Sequence, residues 1–393
     1  MQMTTVKEGR LHYFDNIRAL AMLLGILLHA ALAYSPMVNA VWLTADSVNS
    51  AFFDGVFVVV HTFRMPLFFL VSGYFALLLI EKRGLKGFLI NRVKRILLPF
   101  IIFLPLVLIL VFITVGWALN SIETNVPVLD LMSTKSAEHS GIQTMHLWFL
   151  LNLFFFCLLL AILMFGMPTL MVNFFSKVRV KHVLILLPIL MVPALLTVPS
   201  IPHTPPIKLY PQLWSFGFFG LFFLLGCIIQ YRVELLREIS QYYGVIWGVG
   251  AVSCTSFYCL LPEPLSTADS LLQAQAGIPF SWFYLSLVLL EAVSAVYLSL
   301  ALLLLAKRYL SRPSRAMKYF MDAAYWIYII HIPVLFWFQF LIIDLSIHVA
   351  FKFILSSGVV LIIGVLSYQV LVRNTLVGKL LNGNRVKINS NNR

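Results

Sequence analysis

Charge is what this chain has least of. Asp, Glu, Lys and Arg supply 11% of its 393 residues, against about a quarter in a soluble domain. That is too little to wet the surface of a folded chain of this size. Acid is scarcer than base, 15 residues against 28, which leaves a net charge of +13. Cysteine is scarce too. Cys157, Cys227, Cys254 and Cys259 all fall in apolar stretches with no metal-ligand spacing, so they are expected as small packing residues and no metal is expected. There is no internal repeat and no low-complexity tract. The first apolar run lacks a small-residue cleavage site and is expected to stay as an anchor.

What is present is apolar: 61% of residues are hydrophobic and the mean hydropathy is +0.94. Apolar runs recur along the whole length, each long enough to cross ~30 Å of hydrocarbon as a helix. Lipid leaves open backbone groups unsatisfied, so such runs become helices. The runs are 17–35, 52–80, 97–119, 146–166, 183–199, 214–230, 244–261, 282–306, 325–343 and 351–372. The expectation is an all-α polytopic membrane protein of about ten spanning helices. It forms one domain over 1–381 with a short polar tail, 382–393. The second run is polar in its middle and is expected to tilt or break at Pro66. A proline-rich loop, Pro199 to Pro211, separates the short fifth and sixth runs.

Basic residues set the orientation. With the N-terminus inside, the cytoplasmic pieces and Arg18 collect 24 of the 28 Lys and Arg, whereas the outer loops hold Lys135 and Lys208. That asymmetry is the positive-inside rule and puts both termini in the cytoplasm. It accounts for the net charge without nucleic acid, which needs a contiguous basic face.

Ionisable groups inside a membrane are costly and mark candidate sites. The first run carries Asp15, Arg18 and His29; Arg18 and His29 are eleven apart and share a helix face about 16 Å from each other. A snorkelling arginine and a packing histidine would read the same way. In the second run His61 and Arg64 are neighbours at i, i+3, and Ser72 returns to their face. Arg64 either lines a wet cavity or pairs with a partner such as Glu291. The loop that follows carries six positive charges. It either signals orientation alone or, through Arg92, Lys94 and Arg95, suits a polyphosphate such as coenzyme A. His146 opens the fourth run beside Trp148, where a membrane-belt anchor is the plain alternative. His331 lies ~9 Å inside the ninth run, before Pro333, and packing at a proline kink is its plain alternative. His12, His139, His182, His203 and His348 lie in loops or at edges and are assigned nothing.

Asp15-Asn16-Ile17-Arg18 with His29 beyond it, His61 to Met65, Phe68-Phe69-Leu70-Val71-Ser72-Gly73-Tyr74, Arg92-Val93-Lys94-Arg95, His146-Leu147-Trp148 and Tyr328 to His331 occur together in one order. This resembles the acyltransferase 3 family of membrane acyltransferases, and within it the glucan-biosynthesis type. The likeness covers nearly the whole chain, although residues 167–285 match no motif. It implies ten spans in a bacterial inner membrane, no bound cofactor, and acyl-coenzyme A (succinyl-CoA or acetyl-CoA) as co-substrate. The acyl group, succinyl for the glucan type, would pass to a hydroxyl of a periplasmic glucan or other envelope glycan. Acetylation of lipopolysaccharide or exopolysaccharide sugars is the alternative.

On this reading His29 takes the hydroxyl proton, and Arg18 holds its helix or steers donor phosphate. Arg64 stabilises the oxyanion or a succinyl carboxylate, and Arg92, Lys94 and Arg95 hold the donor. A covalent acyl-enzyme through His29 or Ser72 stays open. The rivals are a secondary transporter, with His29, Arg64 and Glu291 as a relay, and a non-catalytic scaffold. Transporters commonly show paired halves; these halves do not match.

Overall fold

A computed structural model describes residues 12–134, 142–312 and 315–383. Lys135, His139 and the tail from 384 lie outside the described residues. Its helices are α1 (His12–Leu32), α2 (Ala51–Arg92), α3 (Leu98–Ser121), α4 (Pro127–Thr134), α5 (Trp148–Gly166), α6 (Pro168–Lys177), α7 (Leu187–Leu195) and α8 (Leu213–Gly217). They continue as α9 (Phe219–Tyr231), α10 (Val233–Ser240), α11 (Tyr243–Leu260), α12 (Thr267–Ala276), α13 (Trp282–Tyr309), α14 (Arg315–Ile342), α15 (Val349–Ser367) and α16 (Leu376–Asn382). No strand occurs among the described residues.

Eight helical stretches are long and apolar enough to cross a membrane, and nine with one bent pair included. One of the eight, Ala51–Ser121, runs 71 residues, about 106 Å of helix and far more than one crossing needs. Its backbone leaves helical geometry at Gly84 (φ 65°, ψ 174°), a left-handed conformation that glycine adopts without Cβ strain. The stretch is therefore two crossings, one in α2 before Gly84 and one formed by α3 after it, and counting them separately brings the number to ten.

Two expectations need correction. The second run does not break at Pro66, which sits inside continuous helix; the break comes at Gly84. Spanning helices tolerate the hydrogen bond a proline removes, because neighbouring groups re-satisfy the carbonyl. Nor is the stretch between the fourth and fifth runs a plain loop: Pro168–Lys177 is helix and meets His182–Leu195 at a bend of 101°.

The core is organised on α2, which packs against α1, α5, α9 and α13. Its contact with α9 is backbone to backbone. A Cβ at Gly73 would sit 1.8 Å from the Phe223 carbonyl oxygen, and one at Gly226 would sit 1.8 Å from that of Leu70. Small residues allow such approach where lipid gives helices no hydrophobic reason to associate. Outward faces are apolar, as at Ile101, Ile109, Phe112 and Ile113 of α3. At one end of the bundle Asn16 Nδ2 donates to the Leu310 carbonyl (2.6 Å) and the Tyr325 hydroxyl to the Arg95 carbonyl (2.8 Å). At the other, Thr124 binds Asp344 and Lys352 binds Asp46.

Candidate active site

Backbone carbonyls fix the tautomers of His331 and His146, and His331 in turn fixes that of His29. His331 Nδ1 lies 2.6 Å from the Tyr328 carbonyl, an acceptor only, so Nδ1 carries the proton and Nε2 is bare. His29 Nδ1, 2.9 Å from that Nε2, must donate to it. His29 Nε2 is then an unprotonated nitrogen, and His29 lines a cavity of about 760 Å³. The indole of Trp42 lies parallel to the His29 ring, within 2° and 6.0 Å centroid to centroid. His146 stands edge-on to His331 at 4.7 Å. Its Nε2 donates to the Ile329 carbonyl (3.1 Å), which leaves Nδ1 buried without a partner among the described residues.

Arg64 enters the same cavity from α2. Gly25, one turn before His29 on α1, makes room for it: a Cβ there would lie 2.2 Å from an Arg64 guanidinium nitrogen. Arg64 donates to the Met65 sulfur (3.3 Å) and its Nε is buried without a partner. Among the described residues no carboxylate pairs with it. The expected alternative, a pair with Glu291, is replaced by another. Glu291 accepts from His203 Nδ1 at 2.6 Å, both side chains being nearly inaccessible.

A free imidazole nitrogen beside an uncompensated guanidinium can take a proton from a hydroxyl and stabilise the oxyanion formed when that hydroxyl attacks a carbonyl.

The other sequence candidates lie elsewhere. Arg18 is near Asp15 (4.0 Å) and over the Phe75 ring (5.6 Å), and its side chain is 41% exposed; it is not among the cavity residues. Ser72 is buried next to the Gly73 contact and does not line the cavity. His61 lines it. His331 lies about 24 Å along α14 from Arg315, where it meets His29. Arg92 and Lys94 lie at the opposite end of α2, where Arg92 packs over Phe88 (5.1 Å). Arg95 is taken up by the last turn of α16, donating to the carbonyls of Lys379 and Leu380, as suits a cation at a helix C-terminus.

Two residues went unread. Trp42 sits in a loop where its hydropathy is ordinary. His203 also sits in a loop and was assigned nothing; the proline spacing around it was the signal available.

With the spans and the histidine cluster in place, the class follows. The chain belongs to the acyltransferase 3 family, whose acyltransferase domain matches residues 11–369; it is a membrane acyltransferase. It is similar to the glucans biosynthesis protein C of Escherichia coli K12 and to that of Shigella dysenteriae serotype 1. Each is 25% identical over 399 aligned residues, covering 98% of this chain and 97% of the relative. No solved structure matches it.

Proposed function

We propose that the protein moves an acyl group, succinyl above all, from cytoplasmic acyl-coenzyme A to a hydroxyl of a glucan on the far side of a bacterial inner membrane. The observation that carries the reading is the free His29 Nε2 facing one cavity with Arg64. The names of the relatives support a glucan as acceptor. The acceptor hydroxyl gives its proton to His29 Nε2 as its oxygen attacks the thioester carbonyl. The C–S bond then breaks, and the proton passes from His29 to the departing thiolate. Arg64 holds either the oxyanion or the distal carboxylate of a succinyl group. A succinyl group supplies the counter-charge Arg64 lacks; an acetyl group does not. Below the cavity a second, apolar one of about 340 Å³ lines the Ile17–Leu24 turns of α1, on the side from which the donor would come.

Succinylation adds one carboxylate per ester and acetylation adds none. Deleting the gene should therefore make extracted glucan less anionic on an ion-exchange column, and mild alkali should do the same to wild-type glucan. Unchanged glucan together with loss of acetyl from another envelope glycan would refute the succinyl reading in favour of the O-acetyltransferase one.

The orientation behind this reading puts both termini in the cytoplasm. With Cys259 replaced by serine, Ser47→Cys should react with an impermeant thiol reagent added to intact cells, and Ser311→Cys should not. Reversed labelling would overturn the donor side. With Arg95 engaged by α16, Arg92 and Lys94 remain to meet donor phosphates. Arg92→Gln should raise the KM for acyl-coenzyme A several-fold with little change in kcat, because contacts to remote phosphates contribute uniform binding. A fall in kcat alone would assign Arg92 to folding or chemistry instead.

A further inference from the structure

A second histidine lines the cavity with a fixed tautomer. His61 Nε2 lies 3.0 Å from the carbonyl oxygen of His203, so it donates there and Nδ1 is the unprotonated nitrogen. Nδ1 has no partner among the described residues and, unlike His146 Nδ1, is not sealed in the interior. It is left to whatever occupies the cavity. His61 is one helical turn from Arg64, and the cavity thus carries two open imidazole lone pairs, His29 from α1 and His61 from α2.

The carbonyl that sets His61 is itself held rigidly. His203 is 4% exposed and faces two acceptors, the Leu195 carbonyl (2.9 Å) at Nε2 and Glu291 (2.6 Å) at Nδ1. Nε2 donates to the Leu195 carbonyl, and Nδ1 shares one proton with Glu291. Around it the loop is tied down by Tyr284 Oη to the Val198 carbonyl (2.9 Å) and by Thr144 to the Ile207 carbonyl (2.8 Å). A buried hydrogen-bonded pair that orients one carbonyl is the pattern by which outer groups fix the tautomer of a working histidine.

We propose that His61 is a specificity-determining residue for the acceptor, its Nδ1 accepting a hydrogen bond from a second hydroxyl of a polyhydroxylated acceptor while His29 deprotonates the first. The inference rests on the proposed function. It gives the site a preference for acceptors with neighbouring hydroxyls over simple alcohols. A lone hydroxyl satisfies His29 and leaves His61 unpaired in a low-dielectric cavity, which is unfavourable.

Two amides separate this role from a merely structural one. Asparagine places an acceptor oxygen near the position of Nδ1 and loses the bond to His203. Glutamine keeps a donor near the position of Nε2 and loses the acceptor. Purified protein is given labelled succinyl-coenzyme A and rising concentrations of glucose oligomers of four to eight units. His61→Gln is expected to raise the KM for the oligomer about tenfold, the scale of one lost hydrogen bond, with the KM for the donor unchanged. His61→Asn is expected to stay within about threefold of wild type. The reverse order, or two variants with wild-type oligomer KM, overturns the role given to His61 and leaves the proposed function standing. Wild-type protein that consumes donor but never modifies the oligomers overturns both.

Discussion

Replacing His29 by alanine is expected to lower acyl transfer by at least ~10²-fold, the usual range for loss of a general base, with the protein inserted at its normal level. The reason is local. Tyr328 sets His331, His331 sets His29, and His29 Nε2 is the one nitrogen of that pair left open to a substrate. Truncation also removes the α1–α14 bond from His29 to His331, but α1 stays held by Asn16 and by Gln339 Nε2 on the Ala30 carbonyl (3.1 Å). Single-turnover transfer from labelled acyl-coenzyme A measures the chemical step, and the melting temperature in detergent checks the fold. Full activity in a variant that melts normally would remove His29 from the mechanism.

Lys352→Met is expected to cost stability on a comparable scale, about 3–5 kcal/mol, because it strands a buried charge. Lys352 is fully buried and gives hydrogen bonds to Asp46 (2.7 Å) and to the Ile343 carbonyl (2.7 Å). Without it the Asp46 carboxylate, 2% exposed, keeps only the Val48 amide (2.9 Å) as a described donor. Adding Asp46→Asn should recover much of the loss, since the stranded charge and not the missing attraction is the larger cost. The pair also fixes the loop that lays Trp42 against His29, so the single variant should lose activity as well. Wild-type melting of Lys352→Met would show that water reaches the pair and that the loop is held by other contacts, such as Thr44 to Gln339 (2.7 Å).

The sequence by itself determined the class, the spans and which polar side chains lie inside them. Twenty apolar residues in a row have one low-energy solution in lipid, and a His or Arg inside such a run is conspicuous because it is costly there. That is why His29, His61, Arg64, His146, Glu291 and His331 were all legible. Their partners were not. Hydropathy along a chain says how deep a residue sits only when the helix start is known, and α14 starts ten residues before its apolar run. It says nothing of which helices face each other. His29 and His331 are 302 residues apart, and Glu291 meets a loop histidine 88 residues earlier instead of Arg64. Arg95, read beside Arg92 as a phosphate clamp, is drawn off by the carbonyls of α16. Ser72 was left open as a covalent site, and its neighbour Gly73 makes a backbone contact with α9. Those outcomes belong to the tertiary structure, because a buried polar group takes whichever partner packing brings within hydrogen-bond reach, and packing is settled by side-chain volumes between helices far apart in sequence.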